Sequence, residues 1–250
     1  MEKTGHISFS IDHNLGIVRI DNPPANYLIK PEFVPAAVLQ NWIEKNLLKG
    51  ILVCGSGKHF SGGAELDRLF SMSNDEEIME AEINKGKALL RYVENLNIPV
   101  IAAIQGICFG GGLEIALACH IRICSNNALF AFPESNQGIM PGLGGINTLL
   151  EQISFPDTLK FVLSGDMINA EEAKLMKLVD YTVPADDLIP YAMTLLKKMT
   201  EDKRLKVINY VMKALHNTRI MSLEEAIKEE TRMFCELAKE ETKRRMKNEQ

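Results

Sequence analysis

The sequence predicts an α/β fold that ends in helices alone. Two observations carry this. Short apolar runs at 50–54 and 99–104 have the length and composition of buried strands, and they alternate with longer segments of helical periodicity at 31–49 and 76–93. From about residue 190 onward only the helical pattern remains. The 250 residues are 46% apolar, enough to bury a large core, and the expected division is a mixed region at 1–190 and a helical region at 191–250.

Residues 6–12 and 16–21 read as two strands, and D-H-N-L-G between them reads as a hairpin turn. N-P-P-A-N at 22–26 then leaves the sheet. The segment 31–49 carries Phe33, Val34, Val38, Leu39, Trp42 and Ile43 on one helical stripe, where Trp42 is expected to pack rather than stack on a ligand. After the strand at 50–54, Gly62 and Gly63 stand where a strand gives way to a helix. The helix at 76–93 and the strand at 99–103 lead to Gly110, Gly111 and Gly112. An apolar, alanine-rich segment at 113–119 has the composition of a short buried helix. Pro133 biases Phe132 towards extended backbone, so Glu134 is expected on a strand or loop. Helical turns follow at 146–152 and 156–163, Asn169 is placed to cap a helix at 170–176, and 178–183 reads as a last strand. Helices are predicted at 187–199, 203–215 and 223–246. The last has an apolar stripe through Leu223, Ala226, Ile227, Phe234 and Leu237, suited to docking on another surface such as a neighbouring subunit. Its basic end, K-R-R-M-K at 243–247, fits a solvated helix C-terminus.

The candidate chemistry lies in the glycine turns. The first N–H groups of a helix have no partner within it, and glycine lets another group approach them closely. Two such turns can supply the pair of donors that stabilises an oxygen becoming negative. Glu114 follows Gly111 by three residues, one helical turn from those donors. Glu134 precedes the turn-rich G-I-M-P-G-L-G-G. Carboxylates on two separate elements can flank one reacting group, one positioning water and the other moving a proton. Their apolar, glycine-dense surroundings set this pair apart from the other acids among the 33 in the chain.

The net charge of −5 argues against nucleic acid as the main partner. Cys54, Cys108, Cys119, Cys124 and Cys235 lie mostly in apolar runs, as reduced thiols do. No C-x-x-C pair is present, so no metal site is expected. The opening M-E-K-T-G-H lacks a signal-peptide pattern, and no apolar run approaches the roughly 20 residues that span a bilayer, so a cytoplasmic protein with no membrane partner is expected.

Five stretches in order resemble the crotonase, or enoyl-CoA hydratase/isomerase, superfamily: F-S-G-G-A-E-L at 60–66, P-V-I-A-A-I-Q-G at 99–106, G-G-G-L-E-I-A-L-A-C at 110–119, F-P-E-S-N-Q-G-I-M-P-G-L-G-G at 132–145 and S-G-D-M-I-N-A-E-E-A at 164–173. The resemblance covers about 7–199. It implies a spiral of ββα units followed by helices that assemble trimers, often paired as hexamers. It implies an acyl-CoA or acyl-carrier thioester as substrate, coenzyme A being part of that substrate, with no metal or further cofactor. Carried over by position, it puts the oxyanion-hole amides on Ala64 and Gly111 and the catalytic carboxylates on Glu114 and Glu134. It puts substrate contacts on Ala64, Glu65, Leu66, Gly110, Gly111, Pro133 and Gly142. The implied reaction is reversible addition of water to a 2-enoyl thioester. The alternatives are an isomerase or a polyketide-associated dehydratase or decarboxylase of the same family, and, from another class, a non-catalytic acyl-binding scaffold. Four departures point to a divergent subgroup acting on a carrier-bound or unusual acyl group. Glu65 replaces the usual Asp, and Asp67 stands where some hydratases carry a Lys near the CoA phosphates. Ile146-Asn147-Thr148-Leu149 lacks an Arg, and Lys177 replaces a Gly.

Overall fold

In the computed structural model, which describes residues 2–72 and 74–248, the chain opens with three antiparallel strands, β1 (Glu2–Thr4), β2 (Ile7–Asp12) and β3 (Leu15–Ile20). The expected hairpin is present, with His13 at φ 57 in its turn. β1 is an addition, since the polar triplet E-K-T carries no strand pattern. Helix α1 (Ala36–Lys45) begins later than the stripe predicts, because Pro35 precedes it in an extended conformation (ψ 128) and the residue before a proline avoids the helical region. Trp42 packs as expected, buried with its ring centroid 4.8 Å from that of Phe9.

From here each turn of the chain gives one strand to a large sheet, a second to a small sheet, and then helix. The first turn is β4 (Gly50–Gly55), a bridge from Ser61 to Cys108, α2 (Leu66–Met72) and α3 (Glu76–Glu94). The second is β5 (Val100–Ile104), β6 (Ile107–Phe109) and α4 (Gly111–Ala118). The third is β7 (Ile121–Ser125), β8 (Leu129–Ala131), a 3-10 turn (Pro133–Gln137), α5 (Gly145–Leu150) and α6 (Phe155–Ser164). Then come β9 (Ile168–Asn169), α7 (Ala170–Leu175) and β10 (Tyr181–Val183). Helices α8 (Leu188–Thr200), α9 (Leu205–Ile220) and α10 (Leu223–Asn248) complete the chain. Among the described residues the large sheet has the order β1-β2-β3-β4-β5-β7-β10, parallel from β3 onward, and the small sheet β6-β8-β9.

The middle of the large sheet is buried on both faces, which is why β4 and β5 are continuous apolar runs. Val53 and Ile104 face a core shared with Leu39, Leu89 and Leu113, while Leu52 and Ile101 face Leu188, Ala192 and Leu196 of α8. β7 is absent from the sequence prediction because Arg122 interrupts its apolar run. The fold accommodates this buried guanidinium by satisfying it: Nε donates to Leu178 O (2.8 Å) and Nη1 to Cys119 O (2.7 Å). Cys54, Cys108, Cys119 and Cys124 are buried free thiols and Cys235 is exposed. Among the described residues no helix is long and apolar enough to cross a membrane.

Candidate active site

The two glycine turns meet beside the end of the small sheet. Leu28 N–H donates to Gly63 O (2.8 Å) and Glu65 N–H donates to Leu28 O (3.2 Å), so the intervening Ala64 turns its own N–H away from Leu28. Gly111 is the first residue of α4, where a helical N–H has no partner in its own helix. Among the described residues, no backbone bond of the turns and loops uses either N–H. They are neighbours: a Cβ added to Gly111 would lie 3.9 Å from Ala64 N, and one added to Gly63 would meet Phe109 O at 2.7 Å and Gly111 N at 3.4 Å. Gly63 (φ 88) therefore has both a conformational and a steric reason to lack a side chain.

Glu114, on the first turn of α4, is only 3% exposed. Its Oε1 accepts from Leu143 N–H (2.7 Å) and Gly145 N–H (2.9 Å), so the loop before α5 folds back and clamps it. Burial raises its pKa; the two N–H donors and the charge of Lys87 pull the other way. Glu134 departs from the expectation of a strand or loop and lies in the 3-10 turn, because Pro133 at the first helical position suits a helical start. Its Oε1 comes within 2.5 Å of where a Gly110 side chain would begin, and its Oε2 is buried without a partner among the described residues. Burial lifts the Glu134 carboxyl to about 7, its own backbone N–H opposing and the charge of Glu114 adding to the rise.

Ala64, Glu65, Gly110, Gly111, Glu114, Pro133, Glu134 and Gly142 all line one cavity of about 860 Å³. Leu66 opens α2, and its side chain lies outside the described residues. Apolar groups, among them Tyr27, Leu69, Met79, Ile83 and Leu143, form much of the wall. The sequence reading missed three members: the Leu143 and Gly145 amides, and Lys87. The signal for the amides was present in G-L-G-G, but which carboxylate they bind is decided by a contact 29 residues away in sequence. Among the described residues no group of three or more His, Cys, Asp or Glu side chains could hold a metal ion. The arrangement offers two free amide donors, a clamped carboxylate and a carboxyl that stays neutral up to about pH 7, the parts needed to stabilise an anion and transfer protons.

The profile of the enoyl-CoA hydratase/isomerase family matches residues 10–249. The chain belongs to this family. Among its relatives, a Bacillus subtilis (strain 168) protein named "Probable enoyl-CoA hydratase" is 32% identical over 233 residues, 92% of this chain and 89% of that one. The fatty acid oxidation complex subunit alpha of Shewanella frigidimarina (strain NCIMB 400) is also 32% identical over 238 residues, though these are 92% of this chain and only 33% of that longer protein. Among solved structures, an enoyl-CoA hydratase from Bacillus anthracis superimposes with a TM-score of 0.81 at 27% identity, covering 92% of this chain and 89% of that one. DspI of Pseudomonas aeruginosa gives 0.84 at 25% identity, over 95% and 90% of the two chains. The spiral of two-strand turns is thus the crotonase fold of the enoyl-CoA hydratase/isomerase family.

Proposed function

We propose that this family member adds water reversibly across the double bond of a 2-enoyl thioester. The observation that carries the reading is the convergence of Glu114, Glu134 and the free amides of Ala64 and Gly111 on one cavity. The thioester carbonyl accepts hydrogen bonds from the two amides. Hydration drives negative charge onto that oxygen, and loss of one preorganised donor costs about 3 kcal/mol of transition-state stabilisation. Glu114, held through Oε1, keeps its other oxygen for the attacking water. Glu134 gives its proton to the α-carbon from one oxygen while its other oxygen takes a proton from the water, whose oxygen bonds to the β-carbon. The π pair of the double bond, carried through the enolate, forms the new C–H bond, and Glu134 ends in the state in which it began. Coenzyme A enters as part of the substrate, with acyl carrier protein the other candidate carrier, and the reading needs no separate cofactor. The exposed apolar stripe of α10 supports assembly as a homotrimer or a dimer of trimers.

Isomerisation adds no water and needs no group to hold one, whereas Glu114, buried and clamped through Oε1 by two N–H donors, has its second oxygen left to hold a water. The test is loss of the conjugated enoyl absorbance of crotonyl-CoA. Glu114→Gln and Glu134→Gln should each lower kcat by about 100-fold or more. Migration of a 3-enoyl double bond without hydration would replace this reading with the isomerase, and thioester binding without turnover would replace it with the scaffold.

A further inference from the structure

Met79, Ile83 and Lys87 stand four residues apart on α3 and line the cavity together, so one face of this helix forms a wall about 12 Å long. The helix is pressed close here: a Cβ on Gly86 would meet Leu143 Cδ2 and Pro31 Cβ, both at 2.8 Å, which sets α3 against the loop that clamps Glu114. Two of the three wall positions are apolar and the third is a cation. Its neighbour Lys85 is paired with Glu82 at 2.6 Å, but Lys87 forms no ion pair or hydrogen bond among the described residues. The remaining charged groups on the cavity wall are Lys30, Glu65, Asp67 and the two site carboxylates. Of these, Glu114 feels the charge of Lys87. The exposed Lys87 ammonium, on an otherwise apolar face of α3 and without an ion pair or hydrogen bond among the described residues, is available to a negative charge on a ligand in this cavity.

We propose that Lys87 selects acyl thioesters whose acyl group carries a carboxylate within a few carbons of the double bond, seated against its ammonium. This deepens the thioester reading above and rests on it. The test compares ligands of equal chain length on the full-length protein by calorimetry: glutaryl-CoA, which ends in a carboxylate, against pentanoyl-CoA, which does not. Both carry the same coenzyme A, so its charges cancel in the comparison, and neither can be hydrated. The native protein should bind glutaryl-CoA about tenfold more tightly, the size of one charge-assisted hydrogen bond. Lys87→Met should bring the two affinities close to parity, and Lys87→Arg should keep the preference. Equal affinities in the native protein overturn the proposal, as does a Lys87→Met variant that weakens both ligands by the same factor. Hydration of 2-pentenoyl-CoA with no preference for glutaconyl-CoA sinks this inference and leaves the hydratase reading standing. A persistent preference for glutaryl-CoA without turnover of any enoyl thioester supports it and removes the hydratase reading.

Discussion

Glu134 and Glu114 share a cavity yet are held in different ways. Burial raises both carboxyls: Glu134, with one oxygen buried without a partner among the described residues, is lifted to about 7, whereas at Glu114 two backbone N–H donors and the charge of Lys87 oppose the rise. An acid must carry its proton to donate it, so kcat/KM for hydration should fall as pH rises past about 7. It should also fall on the acid side as Glu114 takes up a proton, giving a bell, and a profile flat from about pH 5 to 9 would contradict this assignment. The same group sets a stability slope. An unfolded Glu loses its proton near 4.5 and the folded Glu134 near 7, so between these values the native state holds the extra proton and raising the pH destabilises it. The cost above pH 7 is up to about 3 kcal/mol. Glu134→Gln should therefore be more stable than the native protein at pH 8 and close to it at pH 4, measured by urea unfolding. An equal response of both proteins to pH would show that Glu134 ionises freely.

The turn that enters α4 ties backbone conformation to the position of the Glu134 carboxyl. Gly110 sits at φ 49 and ψ −125, and a Cβ there would strike Glu134 Oε1 at 2.5 Å. Gly110→Ala should cost about 1–3 kcal/mol of stability for a positive-φ backbone that only glycine adopts readily, and because it displaces the carboxyl it should lower hydration by about 100-fold. Circular dichroism with turnover separates the two effects, and a folded variant of native activity would remove Glu134 from the reaction. This turn was legible in the sequence because glycine triplets before an apolar run have few other uses. The cap of α7 was legible too: Asn169 accepts from Glu171 and Glu172 N–H, and Glu172 answers the Asn169 N–H, a pattern fixed within four residues. The small sheet was not, since β6, β8 and β9 are two or three residues long and exist only because the spiral stacks them. Nor could the sequence show that Glu114 is clamped or that Lys87 faces the cavity. Local pattern says which face of a helix is apolar, but only tertiary packing says which loop or cavity lies beyond it.

At the scale of the molecule, α10 has two working sides and one of them is uncovered. Ala226 and Met233 are buried, and Glu236 and Glu240 pair with Lys206 of α9, so one side is fully used. Leu223, Ile227 and Phe234 recur at helical spacing on the stripe marked in the sequence, yet they are 74%, 52% and 70% exposed. Large apolar groups aligned along one helix are uncommon on a monomer's surface and mark an interface. Burying one Phe side chain in a subunit contact is worth about 2 kcal/mol, so each such loss weakens association by roughly 30-fold. Light scattering on the native protein should give a mass three or six times the 27.9 kDa of the chain. Ile227→Asp with Phe234→Asp should shift that mass towards the single chain while leaving the buried Ala226 and Met233 contacts in place. A native protein that runs as a monomer at micromolar concentration would mean that this stripe has some other partner, and that the cavity is complete within one chain.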